Sequence, residues 1–451
     1  MNTPICDFVR RYCEGGTIRL HMPGHKGQGP LGFEQLDITE IFGADSLYEA
    51  NSIIAESERN ASTLFGCPTF YSTEGASQCI RAMVYLATLH AKRQGKHPLI
   101  AAARNVHKTF LSAAALLDTP VDWLYPAKES AYLSCDISAE ALERYFASAP
   151  VTPAAVYVTS PDYLGNMLDI GALAEVCHRY GALLLVDNAH GAYLRFLSPS
   201  RYPMDLGADM CCDSAHKTLP VLTGGAYLHM SPTAPACLTE QAKNALALFG
   251  STSPSYLILQ SLDAANKVLA DPDYIRSLHA LRARLEDCRT QLSRHGIHAN
   301  CGQEPLKLTI YPRFYGYAGT ELAEYLRRHK IECEFADPDF LVLMATPATT
   351  EEDLQQLVDA LISLPRRDVT PPSPPRIPCP ERALSIREAM LCPGKTVPVA
   401  ESLGRILASP SVGCPPAVPI VVCGERIDEA ALACFQYYGI EACTVTEEAF
   451  V

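Results

Sequence analysis

From about Ala55 onward, apolar and polar positions alternate in blocks. Residues 98–103 form a short apolar run that ends at Arg104 and Asn105, and residues 154–159 form another. Residues 170–180 carry helical spacing, with Gly181 just past the end as a stop. Residues 182–186 are continuously apolar, as in a strand buried on both faces of a parallel sheet. Residues 208–212 and 225–228 read as further short strands. This βαβ rhythm predicts an α/β fold with a mostly parallel sheet.

The flanking regions read differently. Residues 2–52 mix short helical pieces with glycine-rich turns, densest at His21-Met22-Pro23-Gly24-His25-Lys26-Gly27. Residues 274–295 place Leu278, Leu281, Leu285 and Leu292 near one helical face, in a helix that bridges two domains. Strands at 306–310 and 340–344 around a helix at 320–329 predict a smaller α/β unit. Residues 365–380 are too proline-rich for regular helix or a central strand, so they predict a stiff connector. The expected segments are an arm over 1–54, a large domain over 55–290, a small α/β domain over 291–364, the linker, and a C-terminal module over 381–451.

Composition narrows the possibilities. The chain has 451 residues, 48% of them hydrophobic, which suffices for more than one core. Its net charge of −13 and lack of a basic stripe argue against nucleic acid; solubility, or a cationic substrate, accounts for the acidity. The 18 cysteines are irregularly spaced and form no CxxC pair, so free thiols in a reducing cytoplasm are expected. No signal peptide or membrane-spanning apolar run is evident, and no metal site is expected.

Lys217 follows a predicted strand in Asp213-Ser214-Ala215-His216-Lys217-Thr218-Leu219-Pro220, ahead of Gly224-Gly225. Such a lysine suits a Schiff base with an aldehyde, with Ser214 and His216 as donors to a phosphate. A surface lysine at a strand end is the bland alternative. Asp187 closes the run Leu183-Leu184-Leu185-Val186, where ligands of open α/β sheets bind. A carboxylate there can pair with a protonated pyridine nitrogen, and Ala189 is small enough to lie against the ring; a helix cap or a metal carboxylate with His190 are the alternatives. Gly75, Ala76 and Ser77 open a predicted helix and can offer N–H groups to a phosphate, or form an ordinary cap. His107 follows a strand and can stack on a ring, or hydrogen-bond within its loop. Thr252 and Ser253 lie in a hydroxyl-rich loop that either donates to a phosphate or caps the next helix. Together these residues point to pyridoxal 5′-phosphate (PLP).

In this order the motifs resemble the ornithine/lysine/arginine decarboxylase family, the prokaryotic-type group of fold type I PLP enzymes. Ser214-Ala215-His216-Lys217 is similar to its PLP-lysine signature, and Thr252-Ser253-Pro254-Ser255-Tyr256 to its TSPSY loop. The PGH stretch at 23–25, Gly43-Ala44-Asp45-Ser46-Leu47, and Arg387-Glu388-Ala389, Gly404-Arg405, Cys414-Pro415-Pro416 and Gly424-Glu425 in the C-terminal module extend the resemblance over nearly the whole chain. The resemblance implies an aspartate aminotransferase-like large domain and decarboxylation of arginine, lysine or ornithine in polyamine biosynthesis. The implied catalytic residues are Lys217, His216 and Asp187. Ala189, His190, His107, Gly75, Ala76, Ser77 and Ser214 complete the cofactor site, with Thr252 and Ser253 contributed by a partner subunit, so that a homodimer or higher oligomer is expected. Asn188 stands where the family often has Glu, and Glu74-Gly75-Ala76-Ser77 where it often has Asn-Gly-Ser/Thr-Thr/Ser. Asp45, Glu49 and Glu334 are candidates for recognising a basic side chain.

Overall fold

The computed structural model describes residues 1–126, 131–300, 303–369, 374–410 and 416–447. Pro371 to Ser373 of the linker, and Cys414 and Pro415 of the C-terminal module, lie outside them. The chain forms two compact units, each assembled from three segments. The first unit comprises Met1–Leu99, Ser148–Tyr157 and Ile170–Arg276; the second comprises Ile100–Ala147, Val158–Asp169 and Ser277–Val451.

Seven strands make the main sheet: β1 (Thr69–Ser72), β2 (Ile100–Ala103), β3 (Val121–Leu124), β4 (Ala155–Thr159), β5 (Leu183–Asp187), β6 (Met210–Asp213) and β7 (Ala226–Met230). Their order is β1-β7-β6-β5-β4-β2-β3, so chain neighbours are repeatedly separated by crossovers. β5 and β6 run parallel, with Asp187 opposite Cys212; β7 is antiparallel to β6 and to β1. β4 starts in the first unit and ends in the second. All five residues of β5 are buried, as expected of a parallel strand covered on both faces. The short apolar runs read from the sequence therefore became strands, and the mostly parallel sheet is present.

In the first unit, α1 (Pro4–Glu14), α2 (Ile53–Phe65) and α3 (Ala76–Arg93) surround this sheet with the helix Tyr256–Leu269. α2 stops at Gly66, whose φ of 73° sets the left-handed turn common at helix ends. Phe65 then packs its ring among Phe196, Tyr202, Tyr227 and His229.

In the second unit, α4 (Lys108–Leu117) connects β2 to β3. A second sheet has the order β10-β11-β9-β8, from β8 (Ala299–Asn300), β9 (Lys307–Ile310), β10 (Phe335–Ala336) and β11 (Leu341–Met344). The C-terminal module adds an antiparallel sheet of β12 (Gly394–Pro398), β13 (Leu407–Ser409) and β14 (Ala442–Thr446), with β14 in the centre. Its core gathers Val397, Leu407, Ile427, Phe435 and Val445. Arg382 donates to Val121 O at 2.6 Å and Arg387 to Ala115 O at 2.8 Å, fastening the module to β3 and α4. The helix Pro272–Arg294 carries the chain from the first unit into the second.

Candidate active site

The carboxyl ends of β5 and β6 bring the predicted lysine and aspartate together in the first unit. Asp187 is the last residue of β5 and is 3% exposed. Its Oδ2 accepts from the Tyr157 hydroxyl at 3.1 Å, and its Oδ1 from the Ala189 N–H at 3.2 Å and the Cys212 thiol at 3.6 Å. Burial raises its pKa, while the Lys217 charge and these hydrogen bonds oppose the rise. A cationic ring nitrogen beside it would add the same stabilisation of the carboxylate.

β6 ends at Asp213, and Ser214 leads into the short helix Ala215–Thr218 that carries Lys217. Lys217 Nζ lies 2.7 Å from His190 Nε2. The amine therefore meets an imidazole. The His216 ring is tied down, its Nδ1 lying 3.0 Å from Gly225 O. Gly224 O in turn accepts from Gly75 N at 2.8 Å, so the glycine pair links the lysine turn to the turn before α3. Gly224 has φ +97°, and a Cβ there would come within 2.9 Å of Thr73 O. Only glycine meets both demands.

Gly75, with φ +73°, opens the 18-residue α3 without a side-chain cap, which leaves the helix end suited to an anion. Ser72 Oγ donates to Gln78 Oε1 at 2.5 Å, and Gln78 Nε2 donates to Tyr48 Oη and Leu246 O, both at 2.8 Å. These bonds hold the turn below Ala76 and Ser77. Ser251 N donates to Glu74 Oε1 of the same chain, so the loop of Thr252 and Ser253 is anchored beside its own turn. Thr252 and Ser253 are exposed, and Ser255 caps the following helix by accepting from Ile258 N. The loop thus performs the capping role while its two hydroxyl residues stay at the surface.

His107 belongs to the second unit, as the N-cap of α4. Its Nδ1 accepts from Thr109 N at 3.1 Å, which realises the loop-hydrogen-bond alternative and fixes the ring. Glu334 is also in the second unit and accepts from the Tyr163 hydroxyl at 2.6 Å. Asp45 spends its carboxylate on the N–H groups of Asn51, Ser52 and Ile54.

Sequence reasoning missed three residues of this site's surroundings. Tyr157 lies in the apolar run of β4, where a buried phenol needs a partner. Asp213 closes an apolar run just as Asp187 does, and that repeated pattern was the available signal. His229 lies inside β7 and forms a fully buried ion pair with Asp213 at 3.1 Å. Burial alone would lower the His229 pKa, but Asp213 outweighs it and holds the group up to about 9. Among the described residues no cluster of His, Cys, Asp or Glu is arranged for a metal ion, and no helix is long and apolar enough to cross a membrane.

The donor set fits PLP: an amine at one strand end, a buried carboxylate at the next, and an uncapped helix start tied to the lysine turn. Known proteins agree. A family model described as Orn/Lys/Arg decarboxylase, major domain, matches residues 3–302. The arginine decarboxylase of Halalkalibacterium halodurans is 30% identical over 465 residues, covering 96% of this chain and 92% of that protein. That of Bacillus subtilis is 28% identical, covering 95% and 91%. Among solved structures, the Francisella novicida lysine decarboxylase LdcF aligns with a TM-score of 0.79 at 16% identity, over 99% of this chain and 81% of that one. At that identity the likeness establishes the fold alone. Sequence match and strand-end geometry converge, and the chain belongs to the Orn/Lys/Arg decarboxylase family.

Proposed function

We propose that the protein is a PLP-dependent carboxy-lyase that converts a basic amino acid (arginine, lysine or ornithine) into the corresponding amine, with Lys217 holding the cofactor covalently. The observation that carries this reading is the Lys217 amine, 2.7 Å from His190 Nε2, at the strand ends that present the buried Asp187. The cofactor supplies an electron sink for the bond broken at the substrate Cα. Asp187 keeps a proton on the ring nitrogen, and Tyr157 and Ala189 N hold that carboxylate in place. Ala189 is small enough that it would lie against the ring, and His107, its Nδ1 held by Thr109 N, would be the residue to stack on it. Gly75, Ala76, Ser77, Ser214 and His216 hold the phosphate, joined by Thr252 and Ser253 of the partner subunit, in a cytoplasmic homodimer or higher oligomer. After CO₂ leaves, Lys217 returns a proton to Cα, since the His216 Nδ1 is engaged by Gly225 O.

Arginine is the first substrate to test, because the Halalkalibacterium halodurans and Bacillus subtilis relatives reported above carry that name. PLP-loaded protein incubated with each basic amino acid should release CO₂ and one amine, identified by mass spectrometry. A keto-acid product would assign an aminotransferase instead. No turnover of any amino acid by protein that retains its visible cofactor band would assign a non-catalytic PLP-binding paralogue.

A further inference from the structure

Beneath the cofactor site lies a second charged constellation that the reaction does not use. The Asp213 carboxylate is wholly buried and accepts four hydrogen bonds. Oδ1 accepts from Asn188 Nδ2 at 2.7 Å and Cys211 Sγ at 3.6 Å; Oδ2 accepts from Tyr202 Oη at 3.0 Å and His229 Nε2 at 3.1 Å. The other ring nitrogen of His229 meets Thr69 Oγ1 at 2.9 Å and Cys67 Sγ at 3.9 Å. Phe65, Tyr227 and Tyr202 surround the imidazole at centroid distances of 4.8, 5.5 and 5.6 Å. These aromatic neighbours favour a cation there.

A buried ion pair is poor evidence for added stability, because desolvation offsets much of the attraction. Its position is more informative. β5 and β6 are paired through Asp187 opposite Cys212. One residue further on, Asn188 and Asp213 clip the strands together by their side chains. Asn188 directly follows Asp187, and Asp213 directly precedes Ser214 and the turn of Lys217. Gly191 makes room for the clip, since a Cβ there would lie 2.1 Å from Asn188 Oδ1.

We infer that Asn188, Asp213 and His229 are positioning residues, whose buried clip sets the spacing between the Asp187 carboxylate and the Lys217 amine. The inference rests on the proposed PLP site. It also gives Asn188 a role: its amide donates across the strand to the Asp213 carboxylate.

The test uses the full-length protein and the variants Asn188→Ala, Asp213→Asn and His229→Gln. Wild-type apoprotein should show a protected downfield imidazolium N–H resonance near pH 8. Asn188→Ala should keep it, and the other two variants should lose it. All three should bind PLP roughly 10-fold more weakly or worse, the scale on which residues supporting a ligating group act. They should also shift the pH at which the bound cofactor's visible band changes, and lower kcat more than they change KM. Asn188→Ala keeps the test decisive if the ion-pair variants do not fold. Unchanged PLP affinity and band titration in folded Asn188→Ala, with a wild-type band that depends on Lys217, would overturn the inference alone. A band that survives Lys217→Ala would remove the parent reading, and the inference with it.

Discussion

The Arg104–Glu425 pair of the second unit and the Lys217 and Asp187 groups of the first all stand near strand ends, and they meet different partners. In the second unit, Arg104 follows β2 and pairs with Glu425 at 2.9 Å; the two residues are 6% and 2% exposed. The Arg104 Nη atoms also donate to Pro419 O and Ile420 O, the guanidinium sits 5.3 Å from the Trp123 ring centroid, and Glu425 Oε2 accepts from Val422 N. Its charge is consumed in fastening the C-terminal module. In the first unit, the Lys217 amine faces a histidine, and the nearby Asp187 takes its hydrogen bonds from weak or neutral donors. Asp187 also feels the Lys217 charge, which opposes the rise that burial imposes on its pKa, and titratable groups perturbed by burial and a specific charged neighbour cluster at functional sites. Buried charge alone therefore does not mark an active site; the chemistry of the groups that the charge meets has to suit a ligand.

The largest effect that sharpens this contrast is at Lys217. Lys217→Ala should abolish turnover and the covalent cofactor band, with a thermal midpoint close to wild type, since its amine anchors no module. Asp187→Asn should retain the band but lose about 10²-fold or more in kcat, the scale of a lost electrostatic stabiliser. Glu425→Ala should show the reverse profile. Leaving Arg104 buried without its acid should cost about 3–5 kcal/mol in unfolding experiments. The fraction that remains folded should keep the Lys217 band. A Glu425→Ala protein as stable as wild type would break the comparison.

The sequence made one side of this contrast legible and not the other. Asp187 and Lys217 each follow a short apolar run and lie within small-residue motifs, so local pattern and chemistry coincide, and the parallel sheet followed from the same runs. Arg104 also ends an apolar run, but its partner is 321 residues away and no local pattern connects them. The clip between Asn188 and Asp213 is invisible for a related reason: it depends on β5 and β6 being in register, and register is a tertiary fact. β1 was missed because Thr69–Ser72 is only four residues long and is held antiparallel to β7 at the sheet edge. The Thr252 loop carried both of its readings in four hydroxyl residues, and folding assigned the cap to Ser255.

The smallest effect concerns pH and belongs to the buried pair beneath the site. His229 has a folded pKa of about 9, against about 6.5 for an unperturbed histidine. Below pH 6.5 the ring is protonated in both folded and unfolded chains, and the full stabilisation by Asp213 is present. As pH rises toward 9 the unfolded chain loses the proton first, so stability falls across that window and the contribution is gone above it. Buried thiols complicate only the upper end. Cys6, pushed up to about 12 by burial and then by Asp263, erodes stability only above the unfolded thiol pKa of about 8.5. Between pH 6.5 and 8 the melting temperature should therefore drop by a few degrees, and His229→Gln should flatten that slope. Glu425→Ala should melt lower at every pH with the slope intact, because the His229–Asp213 pair is untouched. A wild-type melting temperature that is flat from pH 6.5 to 8 would show that Asp213 does not hold a proton on His229, and the buried pair would then be a neutral hydrogen bond like those around Asp187.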